Sequence, residues 1–449
     1  MTFPPRVSVP GPALGPLVVV ATLVLAPVAH AQAPTAADPR IVALVEAVSG
    51  ERLGETVRRL AAFETRHTLS DTLSASRGIG AARRWIHGEF ARAGGRLLVS
   101  YDDHDIPAGG RIVRPVLLRN VVAVLPGRSS RRVYVSGHYD TVARPAGGGG
   151  FDWGQGDLPS PGANDDGSGT ALVIELARAF AASGLEFDAT IVFVAFAGEE
   201  EGLVGATRHA ERAAEQGWTV EAVLNNDIVG GITAGNGRTD SRTVRVFSDG
   251  PEDGPSRQLA RYIREVGPRY VPGHEVRLIA RLDRFGRGGD HTPFHRQGVA
   301  AIRFTEAMEN YSRQHTVDDT PEGVAPEYLA RNARVNAAAL ASLAMAPPAP
   351  VVHGRGGQPT LGRGRSGYDA ALRWEPSPGA AAYRVVWRHA WSPDWESTLV
   401  VHDSAGVSLP DISIDDYVFG VAAIGADGNQ SLVSAYVPAP RQAAEARER

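Results

Sequence analysis

The sequence predicts an α/β protein: a three-layer sandwich around a mostly parallel mixed sheet, followed by a small all-β sandwich. Three observations predict it. Up to residue 345, apolar β-branched runs alternate with segments of helical spacing, as in strands joined by crossover helices. The strongest run, IVFVAFA at 191–197, has no polar side-chain atom and reads as a strand buried on both faces. Beyond residue 359 the pattern changes to short alternating strands separated by turn residues.

The first segment is not expected in the fold. LVVVATLVLAPVA, ending at Ala29-His30-Ala31, has the apolar region and small-residue cleavage site of a secretory signal peptide. The run is short and interrupted by Pro27, so residues 1–31 are expected to be removed, leaving a secreted or periplasmic protein with no stable membrane association. Residues 38–66 carry helical spacing from Ile41 to Leu60, started by Asp38-Pro39. Residues 80–93 form a second helix with Trp85, Ile86 and Phe90 on one face. Strands follow at 120–125 and 132–136. A helix at 170–182 is expected to be capped by Ser168. After the 191–197 strand come a helix at 206–216, a strand at 220–224 and a helix at 256–266. Residues 281–315 read as loop around a short strand at 300–304. A helix at 326–344 closes the first domain, residues 38–345. Residues 346–359 (APPAPVVHGRGGQP) read as a linker. Residues 360–440 form the β-sandwich, and 441–449 a charged tail.

Composition narrows the chemistry. The chain has 449 residues, enough for two or three domains, and a formal net charge of −4, which argues against a nucleic-acid partner. It contains no cysteine, so disulfides and thiolate metal sites are excluded, and any metal must sit on His, Asp or Glu.

The polar residues of interest follow strands, where open α/β sheets place their ligands. His138 lies in GHYDT, with Asp140 two residues on and expected to accept the second imidazole N–H. Asp165 lies in the Gly-flanked turn PGANDDGSG. Glu199, Glu200 and Glu201 end the buried strand. If that segment is extended, Glu199 and Glu200 face opposite sides, so one can hold a metal while the other faces a water. Asp227 ends the strand at 220–224, and His315 lies in QHTVDDT. Each alone is more simply a cap, a turn or a surface group. Together, two histidines and three carboxylates are the set a pair of zinc ions needs, with Glu199 as the candidate general base. His209, His291 and His295 are rival ligands, and Glu201 is expected in solvent.

The ordered segments around these five residues, with EEEGL at 199–203 and HTVDD at 315–319, resemble the secreted co-catalytic di-zinc aminopeptidases. That family is related to bacterial leucyl aminopeptidases and also contains relatives of glutamate carboxypeptidase and the glutaminyl cyclases. The resemblance spans roughly residues 40–345. It implies that His138 and Asp227 hold one Zn2+, Glu200 and His315 the other, that Asp165 bridges them and that Glu199 is the catalytic base. Asp140 would orient His138. Asp290, His291 and Gln314 would lie near the substrate pocket. Gln314 departs from the tyrosine frequent before the last histidine. The implied function is an exopeptidase acting on peptide or protein substrates, with an aminopeptidase preferred to a carboxypeptidase, dipeptidase or glutaminyl cyclase. LRWEPSPGAAAYRVVWR, beginning at Leu372, resembles a fibronectin type III module, expected to bind an extracellular polymer or protein. A purely adhesive protein is the non-enzymatic alternative.

Overall fold

The computed structural model describes residues 37–145 and 149–438; the expected signal segment, the charged tail and part of the 147–150 loop lie outside the described residues. The first region comprises α1 (Pro39–Glu46), α2 (Gly50–Ala61), α3 (Gly78–Arg92), β1 (Leu98–Ile106), β2 (Val116–Leu125), β3 (Arg132–His138), α4 (Gly167–Ala182), β4 (Thr190–Phe196), α5 (Val204–Glu215), β5 (Val220–Asn226), β6 (Thr243–Phe247), α6 (Pro255–Tyr270), β7 (Glu275–Ile279), α7 (His291–Arg296), β8 (Ala301–Glu306) and α8 (Pro326–Met345). Its eight strands form one sheet in the order β1-β2-β4-β3-β5-β8-β6-β7. β4, β3, β5 and β8 run parallel and form the centre, with antiparallel pairings flanking them.

The alternation of β4 explains the three layers. Ile191, Phe193 and Ala195 join the large core beneath α1–α4, α6 and α8. Val192, Val194 and Phe196 point to the opposite face, where they meet Ala206 and Ala210 of α5 and Phe294 of α7. A strand covered on both faces must be apolar at every position, and this one is.

Several expectations need correction. Residues 38–66 form two helices, because Ser49 accepts the Arg52 amide (3.3 Å) and starts α2 afresh. The cap of α4 is Asp166, which accepts the Gly169 amide at 2.8 Å; Ser168 lies inside the helix. β1, β6, β7 and α7 were not predicted. β1 reads LVSYDDHDI, too polar to resemble a core strand, because it is an edge strand whose Asp102 is neutralised by tertiary partners, Arg212 and His209. The presumed linker is partly tied down, since Val351 bridges Glu375 and His353 bridges Pro359.

Beyond it, β9 (Leu361–Arg363), β10 (Ala370–Arg373), β11 (Ala380–His389), β12 (Ser397–Val401), β13 (Gly406–Leu409), β14 (Tyr417–Gly425) and β15 (Ser434–Ala435) form antiparallel sheets of three and four strands. Leu372 from one and Val385 and Val421 from the other share a core with Trp374 and Phe419. The β-module is docked on α6. Both Arg388 nitrogen contacts to Asp253 are below 3 Å (2.7 and 2.8 Å), and Arg384 pairs with Glu265 at 2.6 Å.

Candidate metal centre

Three adjacent parallel strands end at the candidate site. β3 delivers His138, β4 leads to Glu199 and Glu200, and β5 leads to Asp227. β3 lies between the other two, so the connections diverge there and leave a crevice at the carboxyl edge. Asp166 ties the end of β3 to the start of α4 and to the residue after β5. Its Oδ2 accepts the His138 amide (3.0 Å), and its Oδ1 accepts the Gly169 amide (2.8 Å) and the Ile228 amide (3.2 Å). Asp319, also buried, accepts the amides of Asn164 and Asp165 at 3.0 and 2.9 Å and so sets the Asp165 turn.

The five residues converge. His138 Nε2 stands 3.3 Å from Asp165 Oδ1 and 3.8 Å from Asp227 Oδ1. His315 Nε2 stands 3.0 Å from Asp165 Oδ2 and 3.1 Å from Glu200 Oε1. Donors around a tetrahedral ion with bonds near 2.0–2.1 Å lie roughly 3.3 Å apart, so these spacings fit zinc. Asp165 Oδ2 and Glu200 Oε1 are buried and make no hydrogen bond, which a buried carboxylate oxygen tolerates when a cation is its partner. The donors fall into His138/Asp165/Asp227 and Asp165/Glu200/His315, with a third grouping, His138/Glu199/Glu200, overlapping both.

The electrostatics call for positive charge. Burial opposes a proton on His315, yet Glu200 and Asp165 override it and raise the imidazole to about 11. Burial would raise Asp227, but the Arg303 guanidinium 2.8 Å away, with His138, holds it at about 2. Burial pushes Glu199 well up, reinforced by Asp227 and Glu200.

Glu199 and Glu200 separate differently than expected. The chain is not extended there: it turns after Gly198 (φ 71°), and the Leu203 amide donates to the Glu199 carbonyl at 2.8 Å. Asp140 holds this turn, its carboxylate accepting the amides of Glu199 (3.2 Å) and Glu200 (3.1 Å). His138 Nδ1 lies closer to the Asp140 carbonyl (3.2 Å) than to its carboxylate (3.6 Å), so Asp140 orients the imidazole through its backbone. Glu201, expected in solvent, is buried: Thr68 Oγ1 donates to it at 2.6 Å and His67 Nε2 stands 3.6 Å away. The turn directs it inward, beneath the site.

The rival histidines lie elsewhere. His209 is engaged by Asp102 at 2.8 Å, His295 contacts Ser256 at 3.0 Å, and His291 Nε2 meets the Leu282 carbonyl at 2.9 Å. Gln314 lines the cavity over the site; Asp290 and His291 do not, being buried beneath it. Both Asp290 carboxylate oxygens lack partners, and burial raises the group to about 8. The cavity, about 570 Å3, is also lined by Arg111, Arg144, Phe151 and Trp153, which the sequence did not single out. Phe151 and Trp153 directly follow the glycine run at 147–150, which is the one local signal near them.

Comparison with known proteins gives the family. Residues 120–340, which include all five candidate ligands, match the model of Peptidase family M28. A "Probable zinc metalloprotease" from Pyricularia oryzae is 39% identical over 88% of this chain and 84% of its own length. The chain belongs to peptidase family M28. This M28 chain is a zinc metallopeptidase. Its fold is also that of the Legionella pneumophila LapA aminopeptidase, at TM-score 0.54 and 21% identity, over 70% of this chain and 78% of that one. Porphyromonas gingivalis glutaminyl cyclase shares it at TM-score 0.52 and 17% identity, over 65% and 98%. Among the described residues, no helix of this M28 chain is long and apolar enough to cross a membrane.

Proposed function

We propose that the chain is a di-zinc metallo-exopeptidase that releases N-terminal residues from peptides. The observation that carries this reading is Asp165, which belongs to two donor triplets at once. In this reading His138 and Asp227 would hold one zinc and Glu200 and His315 the other, with Asp165 the carboxylate available to both. Bound zinc supplies polarisation of the scissile carbonyl and a water acidified for attack. Glu199 takes that water's proton on its carboxylate and passes it to the leaving amine. Asp140 keeps the Glu199 and Glu200 backbone in place, so base and ligand hold a constant separation. Arg303 keeps Asp227 ionised and ready to bind a cation.

The amino-terminal direction is supported by the fold shared with a protein described as an aminopeptidase. A glutaminyl cyclase reading, which needs a single-zinc set, is less favoured because both donor triplets are complete. Zinc content, together with hydrolysis of aminoacyl-anilides and of N-blocked peptides, tests the reading in wild type and Glu199→Gln. Two zinc per chain, anilide turnover and a 10²–10⁴-fold loss in the variant, roughly the range for general-base catalysis, are expected. One zinc per chain, or undiminished turnover in Glu199→Gln, refutes the mechanism. Cleavage confined to N-blocked peptides refutes the direction alone.

Secretion and polymer binding by the fibronectin-like module belong to the same proposal. They rest on the apolar leader and on a β-module with a core of its own. N-terminal sequencing of the mature protein tests the first; sedimentation with cell-wall polymer, with and without the module, tests the second.

A further inference from the structure

The cavity over the candidate metal centre carries more positive charge than its proposed chemistry uses. Four arginines line it: Arg111, Arg144, Arg284 and Arg287. Arg284 is neutralised, pairing with Glu309 at 2.5 Å and Asp283 at 3.1 Å. The other three make no ion pair among the described residues, yet each is held in place. Arg111 donates to the Glu200 carbonyl at 2.7 Å and lies 4.7 Å over the Trp153 ring. Arg144 lies 4.9 Å over Phe151, and its amide donates to the His315 carbonyl at 2.9 Å. Arg287 donates to Gln314 Oε1 at 2.9 Å, beside His315.

Solvated arginines on a surface are ordinary. These three instead converge on one concavity from three separate segments, each anchored to a residue of the candidate centre or its neighbour. Each guanidinium retains unused N–H donors in a planar fork suited to a carboxylate. The four carboxylates lining the cavity, Asp165, Glu199, Glu200 and Asp227, are those assigned to metal and proton transfer. None is left to offset the arginines, and bound zinc adds further positive charge.

We propose that Arg111, Arg144 and Arg287 make this cavity selective for substrates with a carboxylate within a residue or two of the scissile bond. The carboxylate comes either from an Asp or Glu side chain or from the free C-terminus of a very short peptide. This rests on the peptidase reading above and names its substrate class.

Two measurements on the zinc-loaded full chain test it. The first compares kcat/KM for Leu-Ala-Ala-amide, Leu-Glu-Ala-amide and free Leu-Ala. The second measures calorimetric binding of N-acetyl-glutamate amide against N-acetyl-glutamine amide, and of N-acetyl-alanine against its amide, and needs no turnover. A carboxylate-bearing member of each pair is expected to be favoured by about tenfold or more, from one charge-assisted contact. The side-chain and terminal arms show which source the site reads. Arg144→Gln and Arg287→Gln are expected to shrink the preference, and Arg287→Lys to restore part of it. A preference unchanged in both Gln variants would mean that the ions alone attract the carboxylate, and overturns the proposal. Equal binding and equal turnover across each pair also overturns it, while leaving the peptidase reading standing. Preferential binding with no cleavage of any peptide sinks the peptidase reading and keeps the selectivity.

Discussion

Removing the Arg303 guanidinium is expected to destabilise the fold more than any single surface charge would. Arg303 sits on β8, fully buried, with Nη2 2.8 Å from Asp227 and Nη1 2.8 Å from Asp283. Its Nη1 also donates to the Gly288 carbonyl at 2.8 Å, and its Nε to Thr305 at 2.9 Å. In Arg303→Met the apolar volume is roughly kept and the charge is lost. Asp283 retains Arg284 at 3.1 Å, whereas Asp227 loses its close partner and keeps only His138 at 3.8 Å. Leaving one buried charge unpaired costs about 3–5 kcal/mol, and the surviving Asp283–Arg284 contact places the expectation near the lower end, about 3 kcal/mol. At about 2–4 °C per kcal/mol for a domain of this class, the melting temperature should fall by roughly 6–12 °C. Urea unfolding followed by circular dichroism, with chelator and again with zinc, measures it. Arg303→Lys keeps the charge but not the fork and should lie between the two. A loss below about 1 kcal/mol in Arg303→Met with chelator present would refute the view that Asp227 depends on this cation.

Four further outcomes are expected. Chelation should lower the melting temperature and zinc should restore it, because a ligand at about 1,000 times its Kd adds about 4 kcal/mol; calorimetric scans with and without zinc check this. Phe193→Ala, which empties a fully buried site against Phe180 (centroids 5.9 Å apart), should cost about 3–5 kcal/mol in urea unfolding. Glu175 is buried, which opposes ionisation, but Arg178 and Arg52 at 2.8 Å hold its carboxyl below the usual range. Its contribution is therefore present above about pH 4.3 and lost as pH falls through its lowered value, so wild type and Glu175→Gln should differ by about 1–2 kcal/mol at pH 7 and converge in acid. Parallel stability curves across that window would contradict the pairing. Arg388→Ala should loosen the β-module from α6, seen as faster amide exchange in residues 253–265, with turnover of a small anilide kept.

The parts of this protein legible in its sequence are those whose cause is local. A strand buried on both faces must be apolar at successive positions, so β3, β4 and β5 announce themselves. A polar residue directly after such a strand has to emerge at its carboxyl edge, and His138, Glu200 and Asp227 do so. Asp165 and His315 were readable as polar residues in short distinctive loops, and the fold brings both to the same place. What surrounds those residues was not readable, because it comes from segments far apart in the chain. Asp166 reads as one more turn aspartate until β3, α4 and β5 are assembled around it. Glu201 reads as solvated until the turn held by Asp140 directs it inward beside Thr68. Arg303 and Arg287, alike in sequence, differ entirely once packed: one is sealed between Asp227 and Asp283, the other faces an open cavity. Residue type and spacing determine which chemical groups reach the sheet edge. Only tertiary packing decides the burial and the partners of each charge, and these decide whether it is a ligand, a brace or a receptor for substrate.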